Sequence, residues 1–155
     1  MVAAGQADGL LYLDDLAVGQ RFASGEVIVT EQAIKAFARD YDPQPFHLDA
    51  AAADASLFQG LAASGWHTAA LTMRLLVDGG LPLAGGIVGA SGELAWPRPV
   101  RPGDRLTVAS EILEIRPSRS RPERGMVKVR SETRNQQDEP VQLFTMQLVV
   151  ARRPA

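Results

Sequence analysis

Two residues with complementary proton chemistry stand five positions apart in the stretch YDPQPFHLD, residues 41–49: Asp42 and His47. Pro43 and Pro45 lie between them. Each proline fixes its own φ and restricts the residue before it, so the carboxylate and the imidazole can be held facing one point. Held in this way, they can bind a water molecule and take its proton. The same spacing also fits a solvated turn in which Asp42 caps a helix end and His47 is exposed.

Ser64-Gly65 bears on that choice. If Ser64 caps a helix, Gly65 is its first residue, with a spare backbone N–H, no side chain in the way and the positive end of the helix dipole behind it. Such an N–H can hold a developing oxyanion. The alternative is that Ser-Gly merely starts a helix against crowded neighbours. Acid, imidazole and oxyanion donor together suit proton transfer next to a carbonyl. Ser64, Trp66 and His67, which flank the glycine, are the candidate substrate contacts. His67, the other of the two histidines, is unfavourable as a cation at a helix start, so it reads first as a neutral packing or hydrogen-bonding group. Trp66 and Trp96 fit either an acyl pocket or plain core. No metal is expected: His47, Asp49 and His67 lack paired-ligand spacing, and the chain has no cysteine.

The totals narrow the setting. A chain of 155 residues, 46% hydrophobic, suits one domain with one core. With a net charge of −2, no affinity for nucleic acid or an acidic membrane surface is indicated. Absent cysteine removes disulfides and thiolate chemistry. MVAAGQADGL has no basic region followed by an apolar run, and no window approaches the roughly 20 apolar residues of a spanning helix, so a cytoplasmic protein is expected. Residues 1–12 read as a flexible tail and 13–155 as the single domain. The 14 arginines include a cluster in RPSRSRPER, residues 116–124, which fits either a phosphate contact or a solvated hairpin tip; Arg98 and Arg101 are open to the same two readings.

The elements that must position these residues follow from pattern. Residues 21–30 read as a strand with a bulge at Gly25, closed by Thr30 as N-cap of a helix over about 31–40 that the prolines stop. Residues 50–56 have helical propensity. From Ser64, Trp66, Ala69, Ala70, Met73, Leu76 and Val77 recur at helical spacing until Gly79-Gly80, and the apolar face is so wide that the helix is expected to be enclosed on most sides. Four β-rich runs follow, over 87–96, 105–115, 126–133 and 141–151, separated by turn signals. The result is an α+β domain: a curved antiparallel β-sheet wrapped around a long central α-helix.

AFARDYDPQPFHLD (36–49), GLAASGWHTAAL (60–71) and LAWPRPVRPGDRL (94–106) resemble the MaoC-like dehydratases and (R)-specific enoyl-CoA hydratases, which have the hot-dog fold. The likeness covers nearly the whole chain after about Leu13. It implies that Asp42 and His47 are the catalytic pair, with Pro45 matching the family's proline and Gln44 standing where an Asn is usual. It also implies that Gly65 offers the oxyanion N–H. Ser64 stands where the family often has His, and Ala70 where characterised hydratases tend to carry a serine. The implied substrate is a trans-2-enoyl thioester of coenzyme A or of an acyl carrier, hydrated to the (R)-3-hydroxyacyl thioester with no further cofactor. A homodimer or higher homo-oligomer, joined edge to edge, is the implied assembly. The rivals are a hot-dog acyl-CoA thioesterase, which commonly carries an acid on the central helix, and a non-catalytic acyl-CoA-binding or assembly subunit. Between Ser64 and Gly80 the only acid is Asp78.

Overall fold

Alternating burial makes the second half of the chain a sheet. In the computed structural model, which describes residues 9–155, Gly125, Val127, Val129, Ser131 and Thr133 are buried at every second position of one strand. That period puts all five on one face. The long strands are β3 (Val88–Ala95), β4 (Arg105–Pro117), β5 (Arg124–Arg134) and β6 (Pro140–Ala151). Before them come the short β1 (Arg21–Ala23) and β2 (Val27–Ile28). The six-stranded sheet runs β1-β4-β5-β6-β3, with β2 also on β4, and every pairing is antiparallel.

The strand expected over 21–30 is thus two strands on one neighbour, and the break is a bulge. Ala23 lies opposite Ala109 and Val27 opposite Leu106, so four steps on one side meet three on the other. Ser24 bridges the gap: its N–H donates to Val108 O, and its Oγ accepts from Val108 N–H at 2.8 Å. β3 lies beyond β6, so the connection 96–104 crosses the end of the sheet to reach β4. That crossing carries Trp96, Arg98 and Arg101.

The helices fall where the caps are. Thr30 Oγ1 accepts from Ala33 N–H and starts α1 (Glu31–Tyr41). The segment expected as a stiff loop contains one further helical turn, α2 (Pro45–Leu48). Proline is pre-organised for the first helical position, which is where Pro45 stands. Asp49 then caps α3 (Ala50–Asp54), its carboxylate accepting from Ala52 N–H at 2.8 Å. α4 (Gly65–Leu75) is the central helix; a π turn, Leu76–Gly80, ends it where Gly79 takes φ 129°.

α4 is less enclosed than expected. Within the apolar stripe Trp66 is 60% and Val77 62% exposed, while Leu76 is fully buried. Thr68, Thr72 and Leu75 face inward with Leu76. Thr72 finds polar partners on the sheet, so the inner face of the helix did not have to be its most apolar one. The core is built mainly from Ile34, Leu76, Leu106, Ile112, Val127, Val129 and Leu148.

At the N-terminus, residues 1–8 lie outside the described ones, as does that part of the expected tail. Leu11 is tied down: its N–H donates to Pro82 O, and its carbonyl accepts from Ala84 N–H. Packed chain therefore begins before the expected boundary at residue 13. Among the described residues no helix is long and apolar enough to cross a membrane.

Candidate active site

α1 ends at Tyr41 and Asp42 caps it, its N–H donating to Ala38 O. Asp42 precedes proline, which drives the chain out of the helix there. The α2 turn then brings His47 back, so that Asp42 Oδ2 lies 3.2 Å from His47 Nε2. His47 is 4% exposed, not a solvated turn residue.

Its tautomer follows from the other ring nitrogen. Nδ1 lies 2.6 Å from Ala62 O, and a carbonyl can only accept, so Nδ1 carries the proton. Nε2 is then the nitrogen free to take a proton beside Asp42. Burial opposes ionisation of Asp42. The Ser64 hydroxyl, the Gln44 amide and the His47 ring facing the carboxylate outweigh it and hold the pKa below 3.8. Gln44 Nε2 donates to Asp42 Oδ1 at 2.5 Å. The residue that replaces the usual Asn thus supports the carboxylate directly.

The backbone opposite this pair offers the third group. Ser64, fully buried, caps α4: Oγ accepts from Trp66 N–H at 3.2 Å, and its carbonyl accepts from the N–H groups of His67 and Thr68. Gly65 N–H has no partner among the described residues. A side chain at 65 is excluded by contact, since a Cβ there would sit 2.7 Å from Trp96 Cδ2 and Cε2. The indole thus packs directly against the glycine.

Gln44, Phe46, His47, Gly65, Thr68 and Trp96 line one cleft of about 410 Å³, with Phe58, Ala63, Pro97, Pro99, Val100 and the Glu139-paired Arg98 completing its walls. Imidazole, helix start and apolar walls therefore share one space. A hollow of about 470 Å³ lined by Arg116, Ser118 and Arg124 lies at the β4–β5 hairpin, at the Val88 end of the sheet. Arg119 and Arg121 are exposed on that hairpin, far along the sheet from Trp96.

The remaining candidates separate. Ser64 stands beside Asp42 as well as capping α4. Trp66 points to the outer side of α4 and touches Trp96 edge-on at 5.3 Å. His67 is buried but turned toward α1, its ring stacked on Phe37 at 4.8 Å. Burial depresses its pKa, which agrees with a neutral ring, and its Nδ1 has no hydrogen-bond partner. Asp49 is used in capping α3, and among the described residues no three His, Cys, Asp or Glu side chains group to hold a metal ion.

Comparison with known proteins places this arrangement. The sequence model of the MaoC like domain matches residues 16–135. The chain belongs to the MaoC-like domain family. It is 61% identical to the MaoC-like dehydratase of Rhodospirillum rubrum, whose crystal structure matches with a TM-score of 0.92 over 94% of this chain and 99% of that one. It is 28% identical to the unliganded (R)-hydratase PhaJ1 of Pseudomonas aeruginosa, TM-score 0.73, over 92% of this chain and 86% of that one. The Bacillus subtilis protein YdeM is 32% identical over 89% of this chain and 96% of its own length. The fold is the hot-dog fold of these MaoC-like proteins.

Sequence reasoning missed two supports of the site. Arg101 is not a solvated turn residue. Its guanidinium donates to the carbonyls of Phe58, Gly60 and Leu61, and so pins the loop before Ala62, the residue that holds His47. Positive φ at Gln59 and Gly60 makes that loop one that needs an anchor. The other support is Gln142, fully buried on β6. The signal was available: Gln142 falls in phase with Phe144, Met146 and Leu148 on the inward face, where a polar residue needs a partner.

Proposed function

We propose that the protein is a hydro-lyase that adds water reversibly to a trans-2-enoyl-CoA and forms the (R)-3-hydroxyacyl-CoA. The observation that carries the reading is that His47, whose Nε2 lies 3.2 Å from Asp42 Oδ2, lines one cleft with Gly65, whose N–H has no partner among the described residues. The thioester carbonyl accepts from Gly65 N–H. Asp42 and His47 hold one water between them. His47 Nε2 takes a proton from that water as its oxygen bonds to C3, and the C2=C3 electron pair moves onto C2 and the carbonyl. Gly65 N–H and the α4 dipole stabilise the enolate; one such donor is worth on the order of 3 kcal/mol. The imidazolium then returns the proton to C2, so one water has been added and nothing else consumed. Asp42 stays ionised throughout, orienting the water and then stabilising the imidazolium.

A thioesterase needs its carboxylate near the reacting carbonyl. The only acid in the central helical segment, Asp78, is paired with Arg74 at 2.6 Å, about three and a half turns from Gly65. A mere binding subunit has no use for an aligned carboxylate and imidazole. The outer edge of β3, unpaired in the single chain, and the exposed Trp66 and Val77 favour association of two copies. The test is the loss of conjugated enoyl absorbance on mixing with crotonyl-CoA, followed by chiral analysis of the product. The (R)-3-hydroxyacyl product is expected; free thiol without a hydroxyacyl product would overturn the assignment.

A further inference from the structure

A line of buried polar side chains runs from the cleft into the sheet, and the water-adding chemistry uses none of it. Trp96 Nε1–H donates to Gln142 Oε1 at 2.9 Å. Gln142 Nε2 donates to Thr72 Oγ1 at 3.1 Å, and the Thr72 and Thr133 hydroxyls are 2.6 Å apart. Gln142, Thr72 and Thr133 are all essentially inaccessible to solvent. An indole N–H can only donate, so it fixes which end of the Gln142 amide faces it, and the NH₂ end must then face Thr72.

Three elements are joined by these bonds. Thr72 stands on α4, two turns beyond Gly65, while Gln142 and Thr133 are cross-strand partners on β6 and β5. The far end of the line is the indole that lies across Gly65 and forms one wall of the cleft. Trp96 itself follows the last residue of β3 and is 41% exposed; apart from its contacts with Gly65 and Trp66, the bond to Gln142 is what orients its ring. A fully satisfied buried network fixes one geometry where apolar contact alone would permit several.

We propose that Gln142 is a positioning residue that sets acyl selectivity, by locking the Trp96 ring as a rigid wall beside Gly65. The proposal rests on the acyl-thioester reading above. With the ring fixed, bulk on the acyl group next to the carbonyl meets the indole face. With the ring released, the wall yields and bulkier acyl groups are admitted, because selectivity is a difference between two substrates at one wall.

The test compares kcat/KM for an α-methyl-branched enoyl-CoA with that for crotonyl-CoA, in wild type, Gln142→Leu, Thr72→Val and Thr72→Ser. The ratio is expected to rise about fivefold or more in Gln142→Leu and Thr72→Val. Thr72→Ser, which keeps the hydroxyl, is expected to return it to the wild-type value. Trp96 emission, read in a Trp66→Phe background where it is the only tryptophan, is expected to shift and become more accessible to acrylamide in the same two variants. Because Thr72→Val is isosteric, it answers the question should Gln142→Leu fail to fold. An unchanged ratio and unchanged Trp96 emission in a folded variant would overturn the proposal. If wild type hydrates no enoyl-CoA, the hydratase reading fails by itself. The ratio is then read from binding of branched and straight saturated acyl-CoAs, where an unchanged ratio would again overturn the role of Gln142.

Discussion

The two halves of the proposed active site are built differently. Asp42 and His47 are five residues apart, and their geometry is set by the stretch that contains them: two prolines, the Gln44 amide and one helical turn. Gly65, the other half, is placed by residues remote in sequence: Trp96 across its face, Val100 bonded to Ala63 just before it, and Gln142 behind the indole. The proposed acid–base pair is mainly local, with Ala62 O and the Ser64 hydroxyl as its outside contacts, and the proposed oxyanion donor is tertiary. A local unit tolerates change elsewhere in the chain, whereas a tertiary one inherits every shift in the connection 96–104.

The strongest way to break the comparison is to remove the local half. His47→Ala is expected to lower kcat by about 10²–10⁴-fold with a modest change in KM, measured on crotonyl-CoA with circular dichroism as the check of folding. It also leaves Ala62 O without its donor, so thermal stability falls by about 1–3 kcal/mol. A residual rate near wild type would return the segment to a structural role.

Gly65→Ala probes the tertiary half. The added methyl meets the indole at 2.7 Å and must displace the ring or the helix start. A displacement of that kind costs on the order of 10²-fold in kcat although the N–H is still present. Pairing Gly65→Ala with Trp96→Ala opens the space again and is expected to restore more rate than the two single losses would allow if they were independent. Arg101→Lys should cost less, roughly tenfold in kcat/KM, because one ammonium cannot span the Phe58, Gly60 and Leu61 carbonyls that the guanidinium fork holds.

Acid sharpens the contrast without touching the tertiary half. Asp42 has a lowered pKa in the folded chain, so its ionised contacts add stability above its ordinary value of 3.8, and that contribution is lost as pH falls through the lower folded value. Thermal midpoints of wild type and Asp42→Asn should therefore converge as pH drops below about 4. A gap that stays constant with pH would mean that the carboxylate is not held in its charged form. The smallest effect is expected from Pro45→Ala, about 0.5–1 kcal/mol of stability through the freer unfolded chain.

The same division explains what the sequence disclosed. The Asp42–His47 pair, the Thr30 cap and the four long strands are encoded by neighbours within a few residues, and each was legible from spacing and turn chemistry. The bulge at Ser24–Gly25 was legible in place, though not in the way Ser24 Oγ takes a ladder bond. α4 was found, but not the enclosure expected of it: Trp66 and Val77 stay exposed, while the sheet meets Thr72 with Thr133 and Gln142. Trp66 was a candidate contact because it flanks Gly65, whereas Phe46, Phe58 and Trp96 are the aromatics that line the cleft. Those facts depend on contacts between residues well separated in the sequence, which no local pattern records.

Hydration of crotonyl-CoA in water enriched in heavy oxygen tests the central claim most directly, with wild type and His47→Ala compared by mass spectrometry of the products. The label is predicted at the C3 hydroxyl of an intact (R)-3-hydroxybutyryl thioester in wild type, and nearly absent in the variant. Label in a free carboxylate, or equal incorporation at C3 in both proteins, would contradict it.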